Sequence, residues 1–373
     1  MKINGSGDRG VIVTVHRRYK MKILLVGGTF GDIPKESSVI KMISEEISKR
    51  EHRLHVVNGG KFQILKVLLQ DAVLAPYDAT LWFPNISNDF AKLRAVKSVC
   101  PHTLLVTSKR NNGEYPFGEL VNRALQLKSN LVIEFKKEGN KFSGMLFDPL
   151  GCVWAERTTD LASITQVMLN RLEFLQTITR SRSVELGGTV NIPDEVEFFD
   201  VVRQRADTFH SLIHPSAGVT RFLGNASFRC ERGFPAFKHG PSMFVSRRNI
   251  DKRYIDKDAF VRVAISGNDV MYHGNFKPSV DAAIQVRVFQ YYKNVKYIIH
   301  SHVYVKGSPF TKNALPCGAI EEFDEIIHTS PDKTKTCFSL NLIGHGSIVL
   351  ADNVDYFNTI EYYAREIPEI IHQ

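Results

Sequence analysis

Short apolar segments alternate with amphipathic ones over the first third of the chain, and this alternation restricts the fold more than any other feature. Strands that alternate with helices of about ten residues are typical of βαβ units, which build a parallel sheet. The pattern predicts strands at residues 23–26, 54–57, 79–84 and 103–107, and helices at 37–50, 62–70 and 90–99. We therefore predict an α/β protein that begins with a Rossmann- or flavodoxin-like domain.

The length of 373 residues is more than twice that of a typical domain, so a second domain with its own core is expected. Two further strands around the polar hairpin 136–141 and a long helix at 160–177 would complete the first domain. The polar, glycine-containing stretch that follows is a predicted linker. The predicted division is a leader or tag-like segment at 1–20, the first domain at 21–178, the linker at 179–193 and the second domain at 194–373.

Glycines follow the first predicted strand, at the edge where a parallel sheet binds its ligands. Gly27, Gly28 and Thr29 lie in this segment, and Lys109 follows the fourth predicted strand. Glycines allow backbone amides to approach a phosphate, and a lysine adds positive charge. A bound nucleotide is therefore one prediction for this domain. The segment matches neither of the usual nucleotide-binding glycine patterns, so a structural or partner-binding role is the alternative.

Charge and cysteine content bear on partners and location. The net charge is +9, but residues 1–20 account for +4 of it, and so modest an excess elsewhere argues against nucleic acid as the main partner. Small anionic substrates fit this charge at least as well.

The five cysteines are scattered without a CxxC spacing, which predicts a reduced, cytoplasmic protein. Because no apolar run approaches membrane-spanning length, no membrane partner is expected.

Two histidines, His300 and His302, lie in an apolar run at 295–305 that predicts a strand. Side chains alternate across a strand, so both imidazoles face the same side and can share one cation. The alternative is a pair of histidines that only satisfies hydrogen bonds in a half-buried sheet.

Asp281 precedes a predicted helix at 282–293. This helix is about 18 Å long, and the strand that returns from its far end to His300 covers about 17 Å. Asp281 and His300 are therefore predicted to lie at the same end of this unit.

A third histidine, His345, lies between Gly344 and Gly346 in an otherwise strand-like stretch. We interpret this pattern as a β-bulge that redirects one side chain. The three histidines together with Asp281 are a predicted set of ligands for a divalent metal ion. Backbone amides near Ser279, at the predicted helix N-terminus, would suit a phosphate or another anionic oxygen.

Five short motifs in the second half of the chain resemble, in order, those of the class II aldolase, adducin-type family. The family counterparts are a GNxSxR segment, a Ser/Thr-Gly turn, a PSS-(E/D) segment, an HxH pair and an HG histidine. The nineteen-residue step from Asp281 to His300 also matches the family spacing. The motifs in this chain are GNASFR at 224–229, FVS at 244–246, KPSVD at 277–281, HSH at 300–302 and GHG at 344–346.

The resemblance implies an α/β/α domain around a mixed, largely antiparallel sheet, assembled as a homotetramer with active sites between subunits. It implies a divalent cofactor, which would be zinc, manganese or cobalt. It also implies roles for individual residues. These are metal ligation by His300, His302 and His345, binding of substrate phosphate by Asn225, Ser246 and Ser279, and acid/base catalysis or additional metal ligation by Asp281.

Three departures from the family pattern affect these expectations. Arg247 replaces the glycine of the Ser/Thr-Gly turn and Val280 replaces the second serine of the PSS segment. Phosphate binding would therefore either be altered or rely on Arg247 or Arg248. Only thirteen residues separate His302 from Pro316. In the family, the loop that is missing there commonly carries a second acid/base.

The predicted function is that of a metal-dependent lyase or isomerase acting on a small sugar or sugar phosphate. A divalent ion with open positions polarises a carbonyl and stabilises the enediolate that forms in retro-aldol cleavage or epimerisation. The residues do not choose between these reactions. The alternative is a non-catalytic metal-binding or scaffold protein that retains the fold, with a first domain that binds a nucleotide or a partner.

Overall fold

The first of two eight-stranded sheets contains a parallel and an antiparallel part. The computed structural model describes residues 20–74, 77–86, 103–139, 141–213, 223–230 and 242–371, to which all structural statements refer. The parallel strands are β1 (Lys22–Phe30), β2 (Arg53–Gly60), β3 (Ala79–Asn85), β4 (Leu104–Arg110) and β5 (Leu131–Glu138). The antiparallel extension consists of β6 (Lys141–Phe147) and β7 (Cys152–Thr158).

Helices cover both faces of this sheet because its central strands are apolar on both sides. In β1, Leu25 packs into the core under one face and Leu24 into the core under the other. The helices are α1 (Ser38–Ser48), α2 (Phe62–Leu74), α3 (Phe117–Leu127) and α4 (Leu161–Thr177). The first turn of α4 is capped by Asp160, whose side chain accepts a 3.0 Å hydrogen bond from Ser163 N.

Several sequence-based boundaries in this half need correction. The first strand does not end before the glycines: β1 continues through Gly27, Gly28 and Thr29, which pair with β3. The hairpin at 136–141 is followed by a third strand, β7, so the sheet is mixed rather than wholly parallel. The predicted helix at 90–99 lies outside the described residues.

The second sheet is largely antiparallel and has eight strands. They are β8 (Ser183–Glu185), β9 (Asn225–Cys230), β10 (Ser242–Ser246), β11 (Phe260–Ser266), β12 (Asp269–His273), β13 (Tyr297–Ser301), β15 (Phe338–Leu342) and β16 (Gly346–Ala351). Their order in the sheet is β15-β16-β13-β9-β10-β11-β12-β8. β8 pairs in parallel with β12, so the predicted linker contributes an edge strand. A separate small pair is formed by β14 (Tyr304–Val305) and β17 (Tyr362–Tyr363).

Helices also lie on both faces of the second sheet. α5 (Val196–Ile213) covers one face, whereas α6 (Ala282–Tyr291) and α7 (Glu321–Thr329) cover the other. Neighbouring residues of β13 divide accordingly, with Ile298 in the core below α6 and Ile299 in the core below α5. This arrangement is a mixed α/β domain of the kind that the class II aldolase resemblance implies. None of the helices within the described residues has the length and hydrophobicity that a membrane span requires.

The last described residues return to the first sheet. β18 (Glu369–Ile370) pairs in parallel with β7, and Ile371 is buried in the same core as Ala314. The second domain at 194–373 stays a prediction, and its terminal segment also contributes this strand to the first sheet. Ile371 N donates a hydrogen bond to Val153 O, so this segment covers part of a sheet edge that β7 would otherwise leave open.

Candidate metal centre

Three histidine side chains meet at one end of the second sheet. Each of His300, His302 and His345 offers a ring nitrogen within 4.8 Å of those of the other two. The ring centroids are 4.7 to 5.2 Å apart, and all three side chains are buried. The structure thus brings together the histidines that the sequence singled out, which we call the histidine cluster.

His300 is oriented by the sheet itself. It lies in β13 opposite Ile348 of β16, and its Nδ1 donates a 2.9 Å hydrogen bond to the carbonyl oxygen of Ser347. This bond leaves Nε2 as the unprotonated nitrogen, and Nε2 is buried without a partner among the described residues. His302, just beyond the end of β13, likewise has a buried Nδ1 that lacks a partner in the described part of the chain.

His345 lies in the connection between β15 and β16, so its interpretation as a β-bulge was wrong. Gly344 has a φ of +71° and Gly346 a φ of +152°, which are backbone conformations that L side chains rarely adopt. At Gly346 an added Cβ would also lie 2.0 Å from the carbonyl oxygen of Ser301. The glycines are therefore needed because this turn lies directly against the end of β13.

Glu322 on α7 supports the third histidine. Its Oε1 accepts a 2.7 Å hydrogen bond from His345 Nδ1, and both side chains are buried. Cys317 lies on the other side of the ring, with its Sγ 3.1 Å from His345 Nε2. Burial alone would lower the pKa of His345, but the neighbouring Cys317 and Glu322 raise it well above its usual value.

The pKa values of the other two imidazoles are lowered, which favours their neutral forms. Burial, together with the positive charge of His345, lowers the pKa of His300 to about 4. The same causes hold the pKa of His302 well below its usual value. A neutral imidazole with an unpartnered nitrogen is the form that binds a metal, and a carboxylate behind one ligand is the usual supporting contact. His345 would release its Nε2 proton when a metal binds, as ligands do. The residues present then fit a divalent ion with three nitrogen ligands and open positions.

Asp281 is held beside the cluster by a polar network. Its Oδ2 accepts a 2.8 Å hydrogen bond from Asn225 Nδ2, and its Oδ1 accepts a 2.9 Å bond from Gly318 N. Asn225 faces His300 across the β9–β13 pair, and Gln285 Nε2 donates to its Oδ1. Although Asp281 occupies the N-cap position of α6, its side chain makes no capping hydrogen bond. A purely helix-capping role is therefore excluded.

The residues predicted to bind phosphate are engaged with other protein groups. Asn225 Nδ2 also donates to Ser279 Oγ at 3.1 Å, and the fully buried Ser246 Oγ accepts a 3.1 Å bond from Ala226 N. The guanidinium group of Arg247 lies 4.4 Å from the ring centre of Phe276. Phosphate binding by this set stays a prediction.

A cleft of about 180 Å³ leads to the histidine cluster. Its floor contains Asn225, His300 and His302, and its walls include residues of α3 and α5. Lys252 and Arg365 also line it. Burial lowers the pKa of Lys252 to about 8. Ser246, Arg247, Ser279, Asp281 and His345 are not among the described residues that line the cleft.

Sequence reasoning missed Glu322, Gln285, Lys252 and Arg365. A signal existed for Glu322, because it lies one helical turn before Ile326 and so falls on the apolar face of α7. Gln285 similarly lies on the buried face of α6. Lys252 and Arg365 follow no periodic pattern, and only the fold brings them to the cleft.

The predicted nucleotide segment is not part of this site. Two of its amides have backbone partners: Thr29 N donates to Lys35 O at 2.8 Å, and Gly31 N donates to Gly60 O at 3.0 Å. The Lys109 ammonium group lies 4.2 Å from the ring centre of Tyr115. Binding of a nucleotide by Gly27, Gly28, Thr29 and Lys109 remains a prediction without support from these contacts.

A known protein family matches the part of the chain that contains most of this site. Residues 203–311 match the Class II Aldolase and Adducin N-terminal domain. The resemblance to this family is thereby confirmed for a segment that contains Asn225, Asp281, His300 and His302, while His345 lies beyond it. Class II aldolases generally depend on a divalent metal, in keeping with the histidine cluster.

A solved structure with local similarity is that of YgbL from Klebsiella pneumoniae, which is named as a candidate aldolase/epimerase/decarboxylase. The match has 10% sequence identity, covers 43% of this chain and 83% of that chain, and has a TM-score of 0.27. A TM-score this low carries no argument about this chain. No curated protein matches the sequence.

Proposed function

We propose that the protein is a metal-dependent enzyme of the class II aldolase type, a lyase or isomerase that acts on a small carbonyl substrate. The observation that carries this proposal is the buried histidine cluster, in which His300 and His302 have unpartnered ring nitrogens and line a cleft. Retro-aldol cleavage and epimerisation both fit, because each breaks a bond next to a carbonyl group. Sugars and sugar phosphates are the substrate classes that the family resemblance suggests.

His300, His302 and His345 would hold the metal, with zinc, manganese or cobalt as candidates. When bound, such an ion acts as a Lewis acid that stabilises negative charge developing on the substrate's carbonyl oxygen. Glu322 orients the ring of His345 through Nδ1, which leaves Nε2 as the nitrogen that would bind the metal. The backbone carbonyl of Ser347 does the same for His300.

Asp281 is the proposed proton-transfer group. Its carboxylate is oriented by Asn225 and Gly318, both of which donate hydrogen bonds to it. A buried carboxylate fixed in this way beside the histidine cluster can remove a proton from a substrate carbon or hydroxyl without first reorganising. Such a group typically contributes about 10²- to 10⁴-fold to a rate.

A non-catalytic metal-binding or scaffold protein is the second candidate. It is favoured by the short segment between His302 and Pro316 and by the hydrogen bond between Asn225 and Ser279.

For both candidates we propose that the first domain is Rossmann- or flavodoxin-like and binds a nucleotide or a partner. We also propose a homotetrameric assembly and a cytoplasmic location. A light-scattering mass equal to one chain at micromolar concentration would contradict the assembly.

Metal analysis joined to an activity screen tests the main proposal. Purified protein offered zinc, manganese or cobalt should retain about one ion per chain. Replacement of any one of the three histidines should lose most of the metal, because a three-histidine site has no spare donor. The loaded protein should then cleave or epimerise a member of a panel of ketoses, aldoses, their phosphates and aldols of oxo acids. Protein that binds no metal contradicts the proposal, and metal without turnover supports the scaffold candidate.

A further inference from the structure

The turn that carries His345 needs outside contacts to keep one conformation. Gly344 and Gly346 flank this residue on both sides, and glycine loses more backbone freedom on folding than any other residue. If the turn were loose, the metal would have to order it on binding, and that ordering would cost affinity. Contacts that fix the turn before the metal arrives therefore strengthen metal binding.

Both backbone polar atoms of Gly344 are held by side chains from distant parts of the chain. Its N–H donates a 2.9 Å hydrogen bond to the hydroxyl oxygen of Tyr304, on β14. Its carbonyl oxygen accepts a 3.0 Å hydrogen bond from the thiol of Cys152, on β7 of the first sheet. Tyr304 and Cys152 are both buried, so water does not compete for these bonds. The first sheet thus contacts the residue directly before a predicted metal ligand.

The C-terminal segment, residues 365–371, fixes Tyr304 in turn. The Tyr304 hydroxyl donates a 2.6 Å hydrogen bond to Oε1 of Glu369. Oε2 of the same carboxylate accepts bonds of 2.9 and 2.6 Å from Nε and Nη2 of Arg365. The side chain of Arg365 is 3% exposed and that of Glu369 is 16% exposed, so this ion pair is largely shielded from solvent. The Tyr304 proton is therefore directed at Glu369, which leaves the hydroxyl oxygen to accept the Gly344 N–H.

Backbone hydrogen bonds anchor this segment to the first sheet. Glu369 lies in β18, and its N–H donates a 3.1 Å bond to the carbonyl oxygen of Gly151, just before β7. Ile371 N donates a 3.0 Å bond to Val153 O on β7 itself. A path of hydrogen bonds therefore runs from the edge of the first sheet through β18 and Tyr304 to the histidine cluster.

We propose that Tyr304, Glu369 and Arg365 are positioning residues for the metal centre, and that docking of the C-terminal segment on the first sheet is coupled to metal binding at the histidine cluster. The docked segment holds the turn in the conformation that binds the metal. Because coupling between two equilibria is reciprocal, a bound metal stabilises the docked segment to the same extent. The inference rests on the proposed function and gives the first sheet a part in it, which is to control the metal affinity of a site in the second sheet.

The first test is the zinc Kd of Tyr304→Phe, measured by competition with a chromogenic chelator. Phenylalanine keeps the ring and its packing but removes both hydrogen bonds, so the Kd should rise about tenfold. Tyr272→Phe is the matched control, because it removes the hydroxyl of a buried tyrosine that donates to Glu185 elsewhere in the second sheet. Its Kd should equal that of the unchanged protein. An unchanged Kd for Tyr304→Phe, or an equal rise in the control, would overturn the inference.

Cobalt in place of zinc separates positioning from a general loss of stability. The visible absorption spectrum of bound cobalt depends on the geometry of its ligands. Tyr304→Phe should therefore alter the spectrum of the fully loaded protein, whereas Tyr272→Phe should not. Circular dichroism would confirm that both variants are folded. A cobalt spectrum that is identical in the two variants would contradict the positioning role, even if Tyr304→Phe is less stable to urea.

Hydrogen exchange tests the reciprocal effect. Zinc should slow amide exchange at Glu369 and Ile371, whose N–H groups hold the C-terminal segment to the first sheet. The amide of Arg53, which bonds to Met21 O near the opposite edge of this sheet, should exchange at the same rate with and without zinc. In Tyr304→Phe, the effect of zinc on the C-terminal segment should largely disappear. Exchange at Glu369 and Ile371 that does not respond to zinc in the unchanged protein would refute the coupling.

Cys152 tests the contact that the first sheet itself makes. Cys152→Ala should raise the zinc Kd about threefold, less than Tyr304→Phe does, because a thiol is a weak donor. Cys152→Ser keeps a donor and should restore most of the affinity. Cys230→Ala, which removes a buried thiol at the other end of β9 from Asn225, should have no effect. Serine that binds zinc no better than alanine at position 152 would contradict the role of this hydrogen bond.

Failure of the proposed function would look different in these measurements. Unchanged protein that binds no zinc, manganese or cobalt contradicts the proposed function, and this inference with it. Zinc that is bound equally tightly by the unchanged protein and by Tyr304→Phe contradicts only the positioning role.

Discussion

Replacement of Glu322 by glutamine should weaken the metal site without unfolding it. The Oε1 of Glu322 accepts the Nδ1 proton of His345 at 2.7 Å, and neither side chain is exposed to solvent. Glutamine has nearly the same shape and keeps an oxygen that can accept this proton, but it removes the negative charge. The change therefore separates the charge of the supporting residue from its packing.

The expected loss follows from the kind of hydrogen bond. A bond to a charged group contributes about 1.5–3 kcal/mol and a neutral one about 0.5–1.5 kcal/mol, so the difference is about 1–1.5 kcal/mol. This corresponds to a roughly tenfold higher Kd for zinc, at the lower end of the usual effect of a residue behind a metal ligand. Glu322→Leu, which removes the acceptor altogether, should approach about 100-fold.

Competition with a chromogenic chelator at fixed pH would measure the zinc Kd of each variant. Asp324→Asn is the matched control, because it makes the same chemical change at an exposed position of the same helix. Circular dichroism would confirm that all variants are folded. An unchanged Kd for Glu322→Gln, or an equal loss in the Asp324 control, would refute the supporting role of this carboxylate.

Three further changes probe other parts of the structure. Asp281→Asn should leave zinc content nearly unchanged and lower turnover about 100-fold, and a full loss of metal by plasma emission analysis would instead make Asp281 a ligand. Arg171→Met should lower the free energy of unfolding by about 3 kcal/mol, measured by urea titration. The reason is that the buried Arg171 guanidinium stacks 3.7 Å from the ring centre of Trp154 and donates a hydrogen bond to Ala314 O. A urea midpoint of unfolding equal to that of the unchanged protein would disprove this. Gly346→Ala should yield little folded, metal-binding protein, because a Cβ there meets the Ser301 carbonyl at 2.0 Å; normal yield and zinc content would show that the turn can move.

Local sequence patterns predicted helices and strands well where either burial or the length of one element decides the structure. The central parallel strands β1 and β3 are short apolar runs, and their burial on both sides produced a clear signal. The closeness of Asp281 and His300 followed from the lengths of one helix and one strand, and the structure links the two through Asn225. Both predictions needed only geometry within a continuous stretch of chain.

Contacts between distant segments could not be predicted in the same way. β18 pairs with β7 across more than two hundred residues, and a two-residue strand has no periodicity to detect. Lys252 reaches the cleft because the turn that carries it packs beside α5. The turn that holds His345 was mistaken for a bulge, because glycines mark both kinds of structure equally.

The position of β18 also affects the order in which the molecule can fold during synthesis. Domains generally fold as they emerge, beginning with the N-terminal one. Here, β7 must keep an unpaired edge until every strand of the second sheet has been synthesised, because the segment that covers it comes afterwards. The first sheet is therefore both the earliest to form and the last to be completed. Between those two moments, the open edge of β7 can pair wrongly with other extended segments.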